Sequence, residues 1–436
     1  MSKRKLFVLS MDAMVSEDVD YLLSKKDSNF SRLFSDASGI RKAQTIYPSL
    51  TYPAHVSMMT GCYVGRHGIT ANRDFTTEEN KPLWILDANR IKVDTVFTAA
   101  KRAGLSTASV YWPVTGYNAD IDYLIAEYFF TNNEPLDEVF RELGANDRTL
   151  RIVGDNASVF PPEGKRNWGG YSSDFITGCC CSLIREVKPD VLLAHNCLFD
   201  TLRHLNGLFN DIITDACDEF DRILGVLVRA MEDAGTFDDT DMVITSDHGQ
   251  RNYVRKVGLN TLLRRAGFID VDENNKVTDY RAFVESNGMS AYVFLKDPDD
   301  KTVYNQVYDY LRKLSGENLW GFHEVLTRDE AKQRFGLDGD FAFIVESDNY
   351  SYCGSYWTEP VIRDLEWKDY RYGHATHGYF PEKGPQPVFW CRGPSFRKGV
   401  VIEKGRVIDE APTLAATFGG TLPEADGRAL TEILNC

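Results

Sequence analysis

The chain has 436 residues, more than one hydrophobic core usually serves, so a large core domain with an insertion or second lobe is expected. A hydrophobic content of 43% with 26% charged residues is ordinary for a soluble globular protein, and no apolar run approaches membrane-spanning length. The formal net charge of −15, without a long basic run, argues against a nucleic-acid polymer as partner; small anionic substrates stay open, because bound divalent metals invert the local field.

Nine cysteines without C-x-x-C spacing, three of them adjacent at Cys179, Cys180 and Cys181 in a helical stretch, read as buried reduced thiols and fit a reducing compartment. The apolar run LFVLS after Lys3, Arg4 and Lys5 is too short for a signal-peptide core. The expectation is a cytoplasmic, soluble chain with no membrane association.

In chain order, Lys5 to Ser10 reads as a buried parallel strand with Asp12 just past its C-terminal end, the edge at which open α/β sheets bind ligands. The stretch PSLTYPAHVSMMTG predicts a short helix with Pro53 in its first turn and Gly61 at its stop. Thr51 at its start reads either as a plain N-cap or as a nucleophile at the positive end of a helix dipole. TVFTAAKRAG predicts an amphipathic helix and ASVYWP a strand, one unit of a doubly wound sheet. Residues 117–172, with Tyr128, Phe129 and Phe130 clustered, read as a helical segment plus a long excursion over the active-site face.

DVLLAH predicts the next buried strand, and CLFDTLRH after it spaces Asp200 and His204 at i and i+4, on one face of a helical turn. The stripe Ile213, Cys217, Phe220, Leu224, Leu227 and Met231 marks a long core-packed helix from about 211 to 234. DMVIT is a third strand, followed by Asp247 and His248. Residues 251–370 change pattern and suggest an inserted α+β lobe, with 1–250 and 371–436 forming the core. The core resumes at RYGHATHGYF, which contains His377, and continues through PVFWC to a closing helix.

Asp12, Asp200, His204, Asp247, His248 and His377 are therefore candidate ligands, with Thr51 a seventh. Each alone reads as a cap, a turn residue or a solvated pair; together they fall beside one sheet edge. Mixed carboxylate and imidazole ligation suits zinc, and two such sets suit a pair of divalent ions acting on both oxygens of a phosphoryl displacement. His55 and His67 read as packing or hydrogen-bonding residues, His195 and His323 as structural, and His374 as a lesser candidate for substrate contact or a swapped ligand.

Asp12 after the opening strand, the block P-x-x-T-x-P-x-H…TG…HGI, D-x-x-x-H at Asp200, S-D-H-G at Asp247, H-G at His377 and the tail APTLAATFGG…DGRAL resemble the alkaline phosphatase superfamily. Within it they are most similar to the nucleotide pyrophosphatase/phosphodiesterase branch. The resemblance runs from end to end in motif order and thins across 117–175 and 251–370. It implies a three-layer α/β/α sandwich with a mostly parallel central sheet and the smaller lobe inserted. It further implies one metal on Asp200, His204 and His377, another on Asp12, Asp247, His248 and the Thr51 oxygen, and Asn72 donating to a non-bridging phosphate oxygen. Tyr52, Ala54 and Ser49 depart from the residues usual around the family's nucleophile, which leaves the substrate pocket open.

The activity so implied is a two-metal phosphodiesterase or pyrophosphatase of nucleotide-like or other small phosphate esters, with two divalent ions, most simply Zn2+, and a covalent phosphothreonine on Thr51. The alternatives are a phosphomonoesterase or phosphonate hydrolase on the same scaffold, and a non-catalytic binding protein. The complete ligand set weighs against the last.

Overall fold

The computed structural model describes residues 4–78, 83–130, 134–161, 172–365 and 373–435. Its centre is an eight-stranded sheet made of β1 (Lys5–Met11), β2 (Ser38–Gln44), β3 (Thr107–Val110), β4 (Tyr123–Ile125), β5 (Val191–Asn196), β6 (Thr240–Thr245), β7 (Phe389–Arg392) and β8 (Val401–Arg406). The spatial order is β8-β2-β7-β6-β1-β5-β3-β4. All neighbouring pairs are parallel except those of β7, which runs against both β2 and β6. This mostly parallel α/β architecture is the expected fold class.

The sheet is covered by two sets of helices that pack among themselves. One gathers Ser16–Ser24, Asn29–Phe34, Asp147–Asn156, Ser173–Ser182, Leu198–Asn206 and Asp211–Ala234; the other joins Thr51–Thr60, Val96–Arg102 and Glu410–Thr417. Burial of β1, β5 and β6 on both faces explains why their sequences read as continuous apolar runs. The stripe of the helix Asp211–Ala234 is buried as its periodicity predicts.

Register decides where the chemistry sits. Ser10 of β1 lies opposite both His195 of β5 and Thr245 of β6, so Asp12 and Asp247 leave the sheet at the same level. Asp200 joins them from the first turn of the helix that follows β5, where its amide donates to the Asp12 carbonyl.

One local expectation is corrected. The strand read over ASVYWP ends at Val110, because Tyr111 turns into the left-handed region with φ 59°. Within residues 117–172 the expected helical segment is present as Leu136–Glu142 and Asp147–Asn156, with the edge strand β4 before it; residues 131–133 and 162–171 of the expected excursion lie outside the described residues.

Residues 282–295 and 322–347 build a separate antiparallel sheet, in the order Ala282–Ser286, Ser290–Leu295, Phe343–Ser347 and Phe322–Thr327, against which the helix Lys301–Gly316 packs. Val284, Val293, Val307, Leu311 and Val345 belong to a second hydrophobic cluster there. Arg371 and Tyr372 of the expected return to the core, and the boundary near 370, lie outside the described residues. Among the described residues no helix is long and apolar enough to cross a membrane.

Candidate active site

The helix Thr51–Thr60 begins at Thr51 itself. Leu50, in extended backbone, holds the N-cap position without a side-chain cap bond, and Gly61 with φ 74° ends the helix. Thr51 is thus the first helical residue and not the N-cap, and its hydroxyl is not consumed by capping. Its Oγ1 lies 3.3 Å from Nε2 of His248. His55, one turn on, donates from Nδ1 to the Thr51 carbonyl (2.8 Å) and accepts from the Ser10 hydroxyl at Nε2 (2.8 Å). Burial pushes its pKa down to about 3, in keeping with a neutral ring. His67 is likewise neutral and bonded to Ser57 and the Ile69 amide, as its packing role predicts.

Asp200, His204 and His377 converge as one set whose ligand atoms lie within 4.8 Å of one another. His204 Nε2 is 3.2 Å and His377 Nε2 3.9 Å from Asp200 Oδ1. The other ring nitrogens are tied back: His204 Nδ1 to the Ala375 carbonyl (2.8 Å) and His377 Nδ1 to the Ser49 carbonyl (2.9 Å). A backbone acceptor on Nδ1 fixes the tautomer that leaves Nε2 as a lone-pair donor, the second contact usual for metal-binding histidines. Burial works against the Asp200 carboxylate, yet His204, His377 and His248 around it hold its pKa below the ordinary range. Burial and His248 lower His377 to about 3.

Asp12 and His248 group with Asp200 in a second set whose ligand atoms lie within 4.8 Å of one another, and Asp247 and Thr51 stand beside His248. His248 Nε2 is 3.1 Å from Asp247 Oδ2 and 3.6 Å from Asp12 Oδ1. Both carboxylates are buried, and neither Asp12 Oδ1 nor Asp247 Oδ2 accepts a hydrogen bond. Burial, with Asp247 and Asp200 nearby, drives the Asp12 pKa well up. Two buried carboxylates with unpaired acceptor atoms, and a third beside them at Asp200, are a costly arrangement for a protein alone, and one that cations relieve.

A cavity of about 630 Å³ opens onto both sets and is lined by Asp12, Thr51, Asn72, Asp200, His204 and His377 among others. Asn72 Oδ1 accepts from the Tyr52 amide (2.9 Å), which fixes the carboxamide flip and leaves its NH2 as the free end. Of the amides at the helix start, Tyr52 is therefore engaged and Pro53 has none. Trp84 stacks on Phe129 (3.9 Å between centroids) with Tyr52 beside it, giving the cavity an aromatic wall. A second cavity of about 690 Å³ shares Arg73, Lys256, Glu285, Tyr253 and Tyr352 with the first and reaches His374. His323 is exposed in the strand Phe322–Thr327 and away from both cavities.

Sequence reading missed three supports. Gln250 donates to Asp200 Oδ1 at 2.5 Å and to the Asp200 carbonyl at 3.1 Å. Arg203, fully buried, forks onto both carboxylate oxygens of Asp18 (2.7 and 2.8 Å) and anchors the helix that carries Asp200 and His204. His195, read as structural, touches Asp12 Oδ2 through Nε2 at 3.1 Å. The His195 contact was accessible in principle, since Asp12 and His195 end strands that both read as buried.

The family model for type I phosphodiesterase / nucleotide pyrophosphatase matches residues 6–380. Human ectonucleotide pyrophosphatase/phosphodiesterase family member 5 is 23% identical over 427 residues, covering 94% of this chain and 74% of that protein. A bis(5'-adenosyl)-triphosphatase from Xenopus laevis is 22% identical, covering 96% and 79%. Among solved structures, the human family member 5 superposes with a TM-score of 0.69 at 18% identity over 99% of this chain and all of that one. An inactive threonine-to-alanine variant of the murine protein, in complex with AMP, superposes with a TM-score of 0.67 at 18% identity, again over 99% and 100%. With a motif order that spans the sheet edge and a family match over most of its length, the chain belongs to the type I phosphodiesterase/nucleotide pyrophosphatase family of phosphoric ester hydrolases.

Proposed function

We propose that this chain is a two-metal hydrolase that cleaves phosphodiester or pyrophosphate bonds of nucleotide-like or other small esters through a covalent intermediate on Thr51. The observation that carries the reading is the Thr51 hydroxyl, uncapped at a helix N-terminus, 3.3 Å from His248 Nε2 and in one cavity with Asp12, Asp200, His204 and His377. Asp200, His204 and His377 would hold one ion, and Asp12, Asp247, His248 and the Thr51 oxygen the other. The mixed carboxylate and imidazole donors suit Zn2+, and the unpaired Asp12 Oδ1 and Asp247 Oδ2 fit a cation-binding role. When bound, such ions stabilise negative charge on the attacking and leaving oxygens.

The chain's own residues do the rest. Thr51 supplies the nucleophilic oxygen, and its helix N-terminus favours the negative phosphoryl group. The free NH2 of Asn72 donates to a non-bridging oxygen as charge builds there. Thr51 Oγ1 bonds to phosphorus as the leaving alcohol or phosphate departs, and water then displaces Thr51 and restores its hydroxyl. The aromatic wall of Trp84, Phe129 and Tyr52 suits a flat organic substituent such as a nucleobase. The family members named for pyrophosphatase and bis(5'-adenosyl)-triphosphatase activity support nucleotide-like esters, as does AMP in the murine complex. The inactivity of its threonine-to-alanine variant supports a threonine nucleophile. In this reading residues 1–250 and 371–436 are the catalytic unit, and 251–370 a cap-like lobe whose Glu285, Asn287 and Tyr352 border the cavity.

The test is kcat/KM for bis(p-nitrophenyl) phosphate, p-nitrophenyl phosphate and a nucleotide p-nitrophenyl ester, with zinc and after chelation. A preference for the diesters, abolished by the chelator, is expected. A strong monoester preference would replace this reading with a phosphomonoesterase on the same scaffold.

A further inference from the structure

Beside the proposed ligands lie three ionisable side chains that the reaction above leaves unused: Glu127, His195 and Cys197. Glu127 is 4% exposed and His195 fully buried, and Glu127 and Cys197 also line the cavity. The parallel register of β5 on β1 sets His195 opposite Ser10, two residues before Asp12. His195 Nε2 is thereby 3.1 Å from Asp12 Oδ2. At the far edge of the ring, Nδ1 is 3.2 Å from Glu127 Oε1 and 3.2 Å from the Tyr111 carbonyl. The Tyr111 carbonyl can only accept, so Nδ1 donates, and Nε2 meets Asp12 Oδ2 at hydrogen-bonding distance. The His55 ring, set edge-on to His195 at 4.4 Å between centroids, closes off rotation of the imidazole.

We infer, on the two-metal reading above, that Glu127 and His195 are positioning residues for the metal site built on Asp12. The contacts from Glu127 through His195 to Asp12 hold Oδ2 against the imidazole and leave Oδ1, which accepts no hydrogen bond, turned toward His248. Without that hold, a buried carboxylate facing Asp247 and Asp200 lowers its energy by rotating away from them, and the ligand set loses its shape. His195 is then a support for Asp12 alone, while the set of Asp200, His204 and His377 is tied to the Ala375 and Ser49 carbonyls and to Gln250.

The experiment is a zinc titration of the metal-free full chain against a chromophoric chelator, for wild type, His195→Gln, Glu127→Gln and, as a control for the other set, Asp200→Asn. Melting of each metal-free protein is followed in parallel. The wild type is expected to bind two zinc ions. His195→Gln is expected to keep one at wild-type affinity and to bind the other about 10–100-fold more weakly, with a smaller loss at the same site in Glu127→Gln and the opposite site affected in Asp200→Asn. A general loss of structure would lower both affinities and the metal-free melting temperature together; if His195→Gln does not fold, Glu127→Gln carries the comparison. Two sites of unchanged affinity in the folded variants would overturn the inference. So would a third zinc ion in the wild type that is lost in His195→Gln, since Asp12, His195 and Cys197 would then be a ligand set of their own. A wild type that binds fewer than two ions fails before any variant is compared; it overturns the two-metal reading and the positioning role with it.

Discussion

The Thr51 hydroxyl oxygen lies 3.3 Å from Nε2 of His248, a contact made between residues 197 positions apart in the chain. The N-terminus of one helix and the turn after β6 produce it together, and neither segment carries the chemistry alone. If Thr51 is the nucleophile, Thr51→Ala lowers kcat/KM by at least about 10³-fold while the melting temperature changes little, because the hydroxyl caps nothing. Thr51→Ser keeps an oxygen in place and is expected to retain measurable turnover. Steady-state kinetics with one diester substrate check both.

Arg203 supports the site through the fold and not through the substrate. Its guanidinium bonds Asp18, the Ala13 carbonyl and the Leu208 carbonyl in a fully buried position. Arg203→Ala strands the Asp18 carboxylate, and the expected loss is about 3–5 kcal/mol in urea unfolding. A loss under about 1 kcal/mol would mean that Asp18 finds water.

Gly378 shows how closely the hairpin between Ala282–Ser286 and Ser290–Leu295 approaches His377. Its φ is +91°, and a Cβ there would stand 1.7 Å from the Asn287 carbonyl oxygen. Next to it, the Met289 amide donates to the His377 carbonyl. Gly378→Ala must move the hairpin, so a destabilisation of at least about 2 kcal/mol is expected in urea unfolding, together with a rise in KM.

Glu346, in the strand Phe343–Ser347, ties that sheet to Tyr47, Phe380 and Lys383. The Tyr47 hydroxyl donates to its Oε2 at 3.0 Å, and the Phe380 amide and Lys383 donate to Oε1 at 3.0 and 2.8 Å. Burial outweighs these donors and raises its pKa to about 7. The native state therefore favours the proton, and this contribution to stability is full below about pH 4.5 and lost as pH rises through about 7. Urea unfolding of the metal-free chain should show Glu346→Gln flattening the decline in stability across that window. An unchanged slope would mean that Glu346 titrates normally.

The sequence made the strand ends readable because parallel buried strands leave an apolar run that stops where the sheet stops, and Asp12 and Asp247 stand just beyond. Asp200 and His204 were readable as an i,i+4 pair. Thr51 was not settled locally, since cap and first helical residue differ by one position and by the rotation of a single backbone, which tertiary contacts decide. Gln250, Glu127 and Arg203 left no local signal. A buried Gln or Arg is written like an exposed one, and its partner lies 50, 68 or 185 positions away. The 117–172 segment reads only as a helical stretch with an excursion, because its helices Leu136–Glu142 and Asp147–Asn156 are short and flanked by loops, so the amphipathic period has little length in which to declare itself.

The most direct measurement is mass spectrometry of the acid-quenched wild-type chain during turnover of a nucleotide p-nitrophenyl ester with zinc present. A substrate-derived phosphoryl adduct on the peptide containing Thr51, absent from Thr51→Ala, is the predicted result. Full turnover by Thr51→Ala, or an adduct on another residue, would contradict it.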